Sequence, residues 1–530
     1  MKDAFRQSMA WLHTWVGLLL GWILFFMFVT GSAGYWDTEI DRWMQPELPV
    51  ASPQVPAAET VAAGLQRLAL VAPQATRWFI TLSGDRNNPY PSLFWQGAEG
   101  SGNEQLDPNT AAPPQARDTG GGQLLYQMHW RLHYLPRSVS DWIIGFATLF
   151  MLLALVTGII VHKKIFKDFF TFRRGKGQRS WLDAHNVVSV ISLPFQLMIT
   201  YSGLIFMMFL YMPLTVVAFY GADADSRARF QQEAFVTPAL PEPAGQPAVL
   251  ANMEPMLEHA ATLWPQATLG YVDIRHPGDA NARVILATSN ADGPARSRSA
   301  LVFDGVSGEL IEHRPAADGA GRYSRELLVG LHEGLFAGVS LRWLYFFSGL
   351  LGAGMLATGL ILWTSKRRQR AERTGARHAG LLLVEKLNIA TIAGLPVAIA
   401  AYFWANRLLP VSWEGRGDWE AHCMFAVWAG LFLHAALRPT ARAWVEQLTA
   451  AALGFALLPL LNALTTERHL LSSLMAADWV FVGFELSVLA IGGALGITAC
   501  YLYRRNVTRT MQVDARHQPE QPAVLLEGQS

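Results

Sequence analysis

Charge and cysteine are both scarce in this chain, and each scarcity closes off a class of protein. Only 16% of the 530 residues are charged, against 51% hydrophobic, and mean hydropathy is +0.21. That is too apolar for an ordinary soluble protein, and several segments exceed the roughly 18 apolar residues that mark a membrane span. Net charge is +1 and no basic stripe with interleaved aromatics occurs, so no nucleic-acid partner is expected. The two cysteines, Cys423 and Cys500, lie far apart in apolar segments. No disulfide framework is implied, and both read as small buried hydrophobes. No Walker string is present, which removes ATP as a drive. His332-Glu333 begins a zinc-protease string, but its second histidine position holds Phe336. Gly352 and Gly354 fall inside an apolar run with no strand before them, so they are no dinucleotide fingerprint. No soluble cytoplasmic domain is left to hold flavin or nicotinamide.

What is present is a run of eight spans, roughly 9–35, 141–162, 184–214, 341–364, 385–405, 421–437, 447–465 and 478–502. The fold class is mainly α, a polytopic membrane bundle. Lys and Arg crowd the loops 163–180 and 365–384 and follow the last span at Arg504, Arg505 and Arg509. Positive loops stay on the cytoplasmic side, so both termini are expected inside the inner membrane of a bacterium. The first segment is read as a retained span, not a cleaved leader, because its apolar run is long and holds Trp11, His13 and Trp15. The chain then divides into 1–36, the first span; 37–138, a periplasmic module; 139–215, two spans around a basic loop; and 216–338, a second periplasmic module. Next come 339–365, the fourth span; 366–384, a basic loop; 385–503, a four-helix tail; and 504–530, a cytoplasmic tail.

Each module opens with prolines and continues as a short helix followed by strand-like runs. The second shows a helix over 249–264 and strands at 271–274, 282–288 and 300–303, with a turn at Asp304-Gly305. The first shows a helix over 61–72 and strands at 78–83 and 92–95. Both read as small α+β modules, one per insertion.

The spans carry an internal repeat marked by histidine. His13 lies 18 residues before Gly31 in a Thr30-Gly31 step, and His185 lies 18 before Gly203 in a Ser202-Gly203 step. His133 and His332 each precede a span that closes on Thr-Gly, at Thr157-Gly158 and Thr358-Gly359. Ionisable groups inside a membrane are costly and point to function. Imidazoles facing one another from neighbouring helices are what a bis-histidine haem needs. The repeat pairs His13 with His185 as an inner site and His133 with His332 as an outer one, with haem iron as the metal. A lone histidine would read as an interfacial anchor beside Trp11 or Trp181; the recurrence argues for ligation. His129, one helical turn before His133 and on the same face, is an alternative outer ligand or lines an exit path. His162 has Trp363 as its repeat counterpart and stands as a substitute for one inner ligand. Asp183 and Asn186 flank His185 and offer to orient its second nitrogen, with helix capping as the other role for Asp183. Trp130, Tyr134, Trp142 and Trp343 form either an apolar cleft at the outer site or an interfacial belt. His422 and His434 read as structural.

These strings resemble the PepSY-associated transmembrane helix family of bacterial inner-membrane proteins. The matching residues are Leu12-His13-Thr14-Trp15-Val16-Gly17, Met128-His129-Trp130-Arg131-Leu132-His133, Gly158 to His162, Ser180 to Asn186 and Leu331 to Gly334, and the likeness continues through Val384 to Asn388 and Tyr402 to Arg407. The resemblance implies PepSY-like modules. It also implies two haem b groups and a ferric siderophore or other Fe(III) chelate as periplasmic acceptor, with Fe(II) released on reduction. The donor is then a quinol, another reductase or a diffusing reductant, and the lipid bilayer is the medium. On this reading an electron enters at His13/His185, passes to His133/His332 and leaves to the chelate. A transporter of siderophore or another small solute with histidines as proton relays, and a peptidase-regulating PepSY membrane protein, are the competing expectations.

Overall fold

In the computed structural model of the protein, residues 2–50, 55–83, 87–162, 167, 169, 171–173, 175–235, 241–316, 319–375 and 378–517 are described. Pro53, parts of the basic loops (Lys163, Lys164 and Arg174 among them) and the end of the 504–530 tail lie outside the described residues. The chain forms two compact units, Met1–Lys366 with Val411–Gly417, and Arg367–Pro410 with Asp418–Ser530.

The first unit begins with α1 (Lys2–Gly34), α2 (Asp37–Met44), α3 (Ala57–Val71), β1 (Arg77–Thr81), β2 (Ser92–Gly97), β3 (Gly100–Gln105), α4 (Gly121–Trp130) and α5 (Arg137–Val161). A second round follows in the same order of types: α6 (Gln178–Phe206), α7 (Glu254–Leu263), β4 (Leu269–Arg275), β5 (Arg283–Thr288), β6 (Ala300–Asp304), β7 (Leu310–Arg314), α8 (Ala320–Glu333) and α9 (Val339–Thr374). The second unit holds α10 (Ala379–Leu408), α11 (Arg416–Leu437), α12 (Thr440–Thr465) and α13 (Trp479–His517).

Among the described residues, eight helices are long and apolar enough to cross a membrane: α1, α5, α6, α9 and α10 to α13. The protein is a mainly α, multi-pass membrane protein. Several helix ends run past the spans read from sequence, and two differences change the picture. The third span ends at Phe206, not near 214, because the chain turns at Met207 and restarts in short helices, one of them opened by Pro213. α9 stays helical to Thr374, so the first half of the basic stretch 366–384 is helix. Cys500 is exposed on the bundle surface and not buried as its apolar segment suggested; it and Cys423 are both free thiols.

The strands of both insertions form one antiparallel sheet of seven, in the order β3-β2-β1-β4-β5-β6-β7. One face is the core. Ile80, Leu93, Val272, Ile274, Val284, Leu286 and Leu301 alternate inward and bury against Val61 and Leu68 of α3 and Met256 and Leu257 of α7. The seam between the insertions is the β1–β4 pairing, which runs from Arg77 opposite Arg275 to Thr81 opposite Tyr271. Across it the Arg77 guanidinium donates to both oxygens of Asp273, at 2.8 and 2.9 Å, and Arg275 donates to the same carboxylate at 3.0 Å. Asp273 is only 4% exposed.

Removing a buried partner leaves its mate uncompensated at about 3 kcal/mol. Asp273→Ala is therefore expected to loosen the seam. Limited proteolysis of the full-length protein in detergent should show new cuts in both insertions together; cuts confined to one would mean that the two fold independently.

Candidate functional site

The helices of the first unit bring histidines together in two pairs. The His13 ring of α1 and the His185 ring of α6 stand 6.4 Å apart between centroids, tilted by 65°. The His129 ring of α4 and the His332 ring of α8 stand 5.9 Å apart, tilted by 40°. Two imidazoles sharing one metal ion, each nitrogen about 2 Å from it and each ring centre about 1 Å further back, put their centroids roughly 6 Å apart. His13 and Met27 are 14 residues apart on α1, about 21 Å along the axis, so the pairs occupy different depths of a core about 30 Å thick.

Every ring is held in the same way. His13 Nδ1 lies 2.9 Å from the Ala154 carbonyl, His185 Nδ1 3.0 Å from Met355, and His129 Nδ1 2.8 Å from Met27. His332 Nδ1 lies 2.9 Å from Ser202 Oγ and also donates to the Ile199 carbonyl. Each of these four carbonyls stands four residues before a glycine: Ala154 before Gly158, Met355 before Gly359, Met27 before Gly31, Ile199 before Gly203. A hydroxyl precedes each glycine, and it donates back into its own helix, as Thr157 does to Leu153 and Thr358 to Gly354, both at 2.8 Å. It is then free to accept, and Thr358 takes a second bond from His185 at 3.2 Å. With the proton on Nδ1, the lone pair is on Nε2, and among the described residues no hydrogen bond engages Nε2 of these four rings.

The glycines are where the imidazoles pass. A Cβ at Gly31 would sit 2.5 Å from His129 Nδ1. At Gly158, Gly203 and Gly359 it would sit 3.2, 3.2 and 3.3 Å from Cε1 of His13, His332 and His185. Burial and the neighbouring His129 push His332 down to about 3, and burial lowers His129, so both imidazoles of that pair are neutral at physiological pH.

The second pair differs from the pairing of His133 with His332 expected from the repeat. His129 and His332 are each the penultimate residue of their helices, whereas His133 lies past the end of α4 with its ring against Tyr134 at 4.7 Å. A residue beyond the helix end cannot aim along the helix face. His162 caps the end of α5, and its Nε2 lies 2.9 Å from the Asn186 amide nitrogen. Asn186 and Asp183 thus do not orient His185; Asp183 pairs with Arg173 at 2.7 Å. Among the aromatics, Trp142 is exposed and stacks on Phe146, and Trp343 packs on Trp36 at 4.4 Å. Only Trp130 lines the site. In the second unit His434 bonds Glu446 at 3.0 Å and Gln447 at 3.2 Å, and His422 lies against Trp419.

A cavity of about 630 Å³ opens at the second pair, with Met27, Phe28, Phe195 and Phe206 in its walls and Arg137 and Arg296 among its polar lining residues. Its size falls in the 300–1,000 Å³ range of ligand pockets. Residues 10–366 match the family described as PepSY-associated TM region. The chain belongs to this family. A relative, an uncharacterized protein of Pseudomonas aeruginosa, is 26% identical over 366 residues, which is 65% of this chain and 86% of that protein. The family match spans both histidine pairs and stops where α9 leaves the apolar region, so α10 to α13 lie outside it.

α4, which carries His129, is fixed at its start by Asp41 of α2. Gly122 N–H donates to Asp41 Oδ1 at 2.8 Å. Burial, then the nearby Asp37, pushes the Asp41 carboxyl up to about 7. A folded-state value above the unfolded one means that the native state binds the proton more tightly. Stability from this group is therefore greatest below about pH 4 and falls as pH rises toward 7. Asp41→Asn keeps an acceptor without the charge. We expect it to match the parent near pH 4 and to melt higher above pH 7; equal melting temperatures at pH 8 would contradict this.

The glycine contacts rank a second set of variants. Gly31→Ala has nowhere to place its methyl and should destabilise the protein by about 1–3 kcal/mol. Gly158→Ala, Gly203→Ala and Gly359→Ala need ring shifts of only tenths of an ångström and should cost less. Thermal melts of the four variants in one detergent would check the order.

Proposed function

We propose that this protein is a haem b electron carrier of the bacterial inner membrane that delivers electrons to a ferric chelate, such as a ferric siderophore, at the side where the two insertions lie. The observation that carries this reading is the two imidazole couples, each ring bonded to protein at Nδ1, with ring centres at a separation suited to one shared iron. His13 with His185, and His129 with His332, would hold one haem each. Haem b with two histidine ligands supplies one-electron transfer.

The chain's own residues do the rest. The carbonyls of Ala154, Met355, Met27 and Ile199 fix ring tautomer and direction, as outer acceptors do for metal-bound histidine. The four glycines let the rings lie against the neighbouring helix. The apolar walls from Met27, Phe28, Phe195 and Phe206 keep water from the second pair. Two pairs about 21 Å apart in depth suit transfer across the bilayer. The Lys/Arg-rich stretches 163–180 and 365–384 lie opposite the insertions along the chain, which favours cytoplasmic termini and a periplasmic sheet. An Fe(III) chelate reduced there to Fe(II) is held less tightly by hard oxygen ligands, which frees the metal.

Absorption spectra of the purified protein, oxidised and reduced, with haem counted per chain, test the proposal. The expected result is low-spin b haem at about two per chain. His129→Ala should lose one of the two and stop reduction of an external ferric chelate, and His133→Ala should keep both. A parent protein that stays colourless after incubation with haem would overturn the reading.

A further inference from the structure

The cavity at the His129–His332 pair has a polar rim assembled from four separate pieces of chain. Trp130 ends α4 and directly follows His129. Glu333 ends α8 and directly follows His332. Arg137 begins α5. Arg296 arrives on the loop 289–299 between β5 and β6, which is docked on α8: Arg296 N donates to the Glu326 carbonyl at 2.9 Å, and a Cβ on Gly330 would lie 2.1 Å from the Pro294 carbonyl. All four residues line the cavity.

Two rim atoms are buried without a protein partner, Trp130 Nε1 and Glu333 Oε2. The Glu333 side chain is 10% exposed, and its other oxygen pairs with Arg296 at 2.9 Å. The Arg137 guanidinium lies 5.7 Å from the Trp130 ring centre, and its acid neighbour Asp141 is a loose 3.9 Å away. The Trp130 N–H, a buried donor left unmatched by protein, calls for an acceptor on a ligand; Glu333 Oε2 is itself an acceptor and belongs to the ion pair that holds Arg296. Two guanidiniums and an indole N–H lining one cavity suit oxyanions, since arginine forks match carboxylate geometry. The rest of the cavity is apolar. An occupant that is mostly apolar with anionic oxygens at one end therefore fits the whole.

We propose that Arg137, Arg296 and the Trp130 indole N–H form a carboxylate site that receives the two propionates of a haem held by His129 and His332, turning its charged edge to the side of the sheet. The assignment rests on the haem reading above. It also gives the β5–β6 loop a role, because that loop carries Arg296 from the sheet to the cavity and Glu333 positions it there.

The test uses the full-length protein freed of haem and titrated with protohaem or with its dimethyl ester, which lacks the two negative charges. Absorption reports binding of each equivalent. The parent should bind protohaem at this pair at least tenfold more tightly than the ester. Arg296→Gln and Arg137→Gln should each weaken protohaem several-fold and leave the ester unchanged, and Trp130→Phe should do so to a smaller degree. Equal affinity of the parent for acid and ester, or variants that weaken both ligands alike, would overturn the carboxylate site and leave the haem reading standing. Failure of both ligands to bind the parent would remove the haem reading and this assignment with it.

Discussion

The first unit depends on one hydrogen bond made four times: an imidazole Nδ1 to the main chain of a neighbouring helix. A helical carbonyl already accepts from the N–H four residues on, and its second lone pair is normally shielded by the side chain of that same residue. Glycine at that position uncovers it. The preceding hydroxyl is small and bonds back to its own helix, so it adds polarity without blocking the approach. Thr30, Thr157, Ser202 and Thr358 all occupy this place. A polar side chain in a membrane interior is costly, and the same bond that offsets the cost also fixes where the free nitrogen points.

The bonds interlock the helices. α1 gives His13 to α5 and receives His129 from α4. α6 gives His185 to α9 and receives His332 from α8. Each of these two long helices thus carries one histidine of one pair and cradles one histidine of the other. α4 and α8 are not spans; they close the two insertions. The geometry of the second pair is therefore set by the folded insertions, and the β1–β4 seam that joins their sheet lies in the same structural chain of cause as the His129–His332 distance.

This explains what could and could not be read in advance. The eight spans and the residues His13, His185, Gly31 and Gly203 follow from hydropathy and from the 18-residue repeat, and His332 from the span that closes on Thr358-Gly359. The repeat places His13 and Gly31 on one helix but does not say that they serve different pairs, because that depends on which helix packs where. Counting alone leaves His129 and His133 in competition. His129 stands 29 residues before Gly158 and His133 stands 25, while His332 stands 27 before Gly359, so the count favours neither. In the structure it is His129, still within α4, that stands beside His332. β3 and β7 escaped because they are the two edges of the sheet: Gly100-Ser-Gly-Asn-Glu-Gln and Leu310-Ile-Glu-His-Arg face solvent widely and lack apolar alternation. The joining of both insertions into one sheet had no local signal either, since β1 and β4 are almost 200 residues apart.

The two copies agree where the histidines are held and part company in between. Along α6, between His185 and Gly203, one face carries Ser189, Ser192, Gln196 and Thr200; the corresponding positions of α1 hold Gly17, Leu20, Leu24 and Phe28. Holding the rings does not require this stripe, because α1 does so without it. Gln196 is fully buried and donates to the Ser348 carbonyl of α9 at 3.1 Å, with Phe28 of α1 packed beside the same stretch of α9 at Gly352. Interhelical amide bonds of this kind stabilise by about 0.6 kcal/mol on average in a membrane, less than the cost of leaving the Gln196 carbonyl oxygen without a partner. Clamping alone is therefore a poor account of the stripe. Its oriented dipoles lie along the only polar line between the two histidine pairs among the described residues of α1 and α6. The polar line runs along α6 and not along α1, so a fold built on near-symmetry is chemically one-sided.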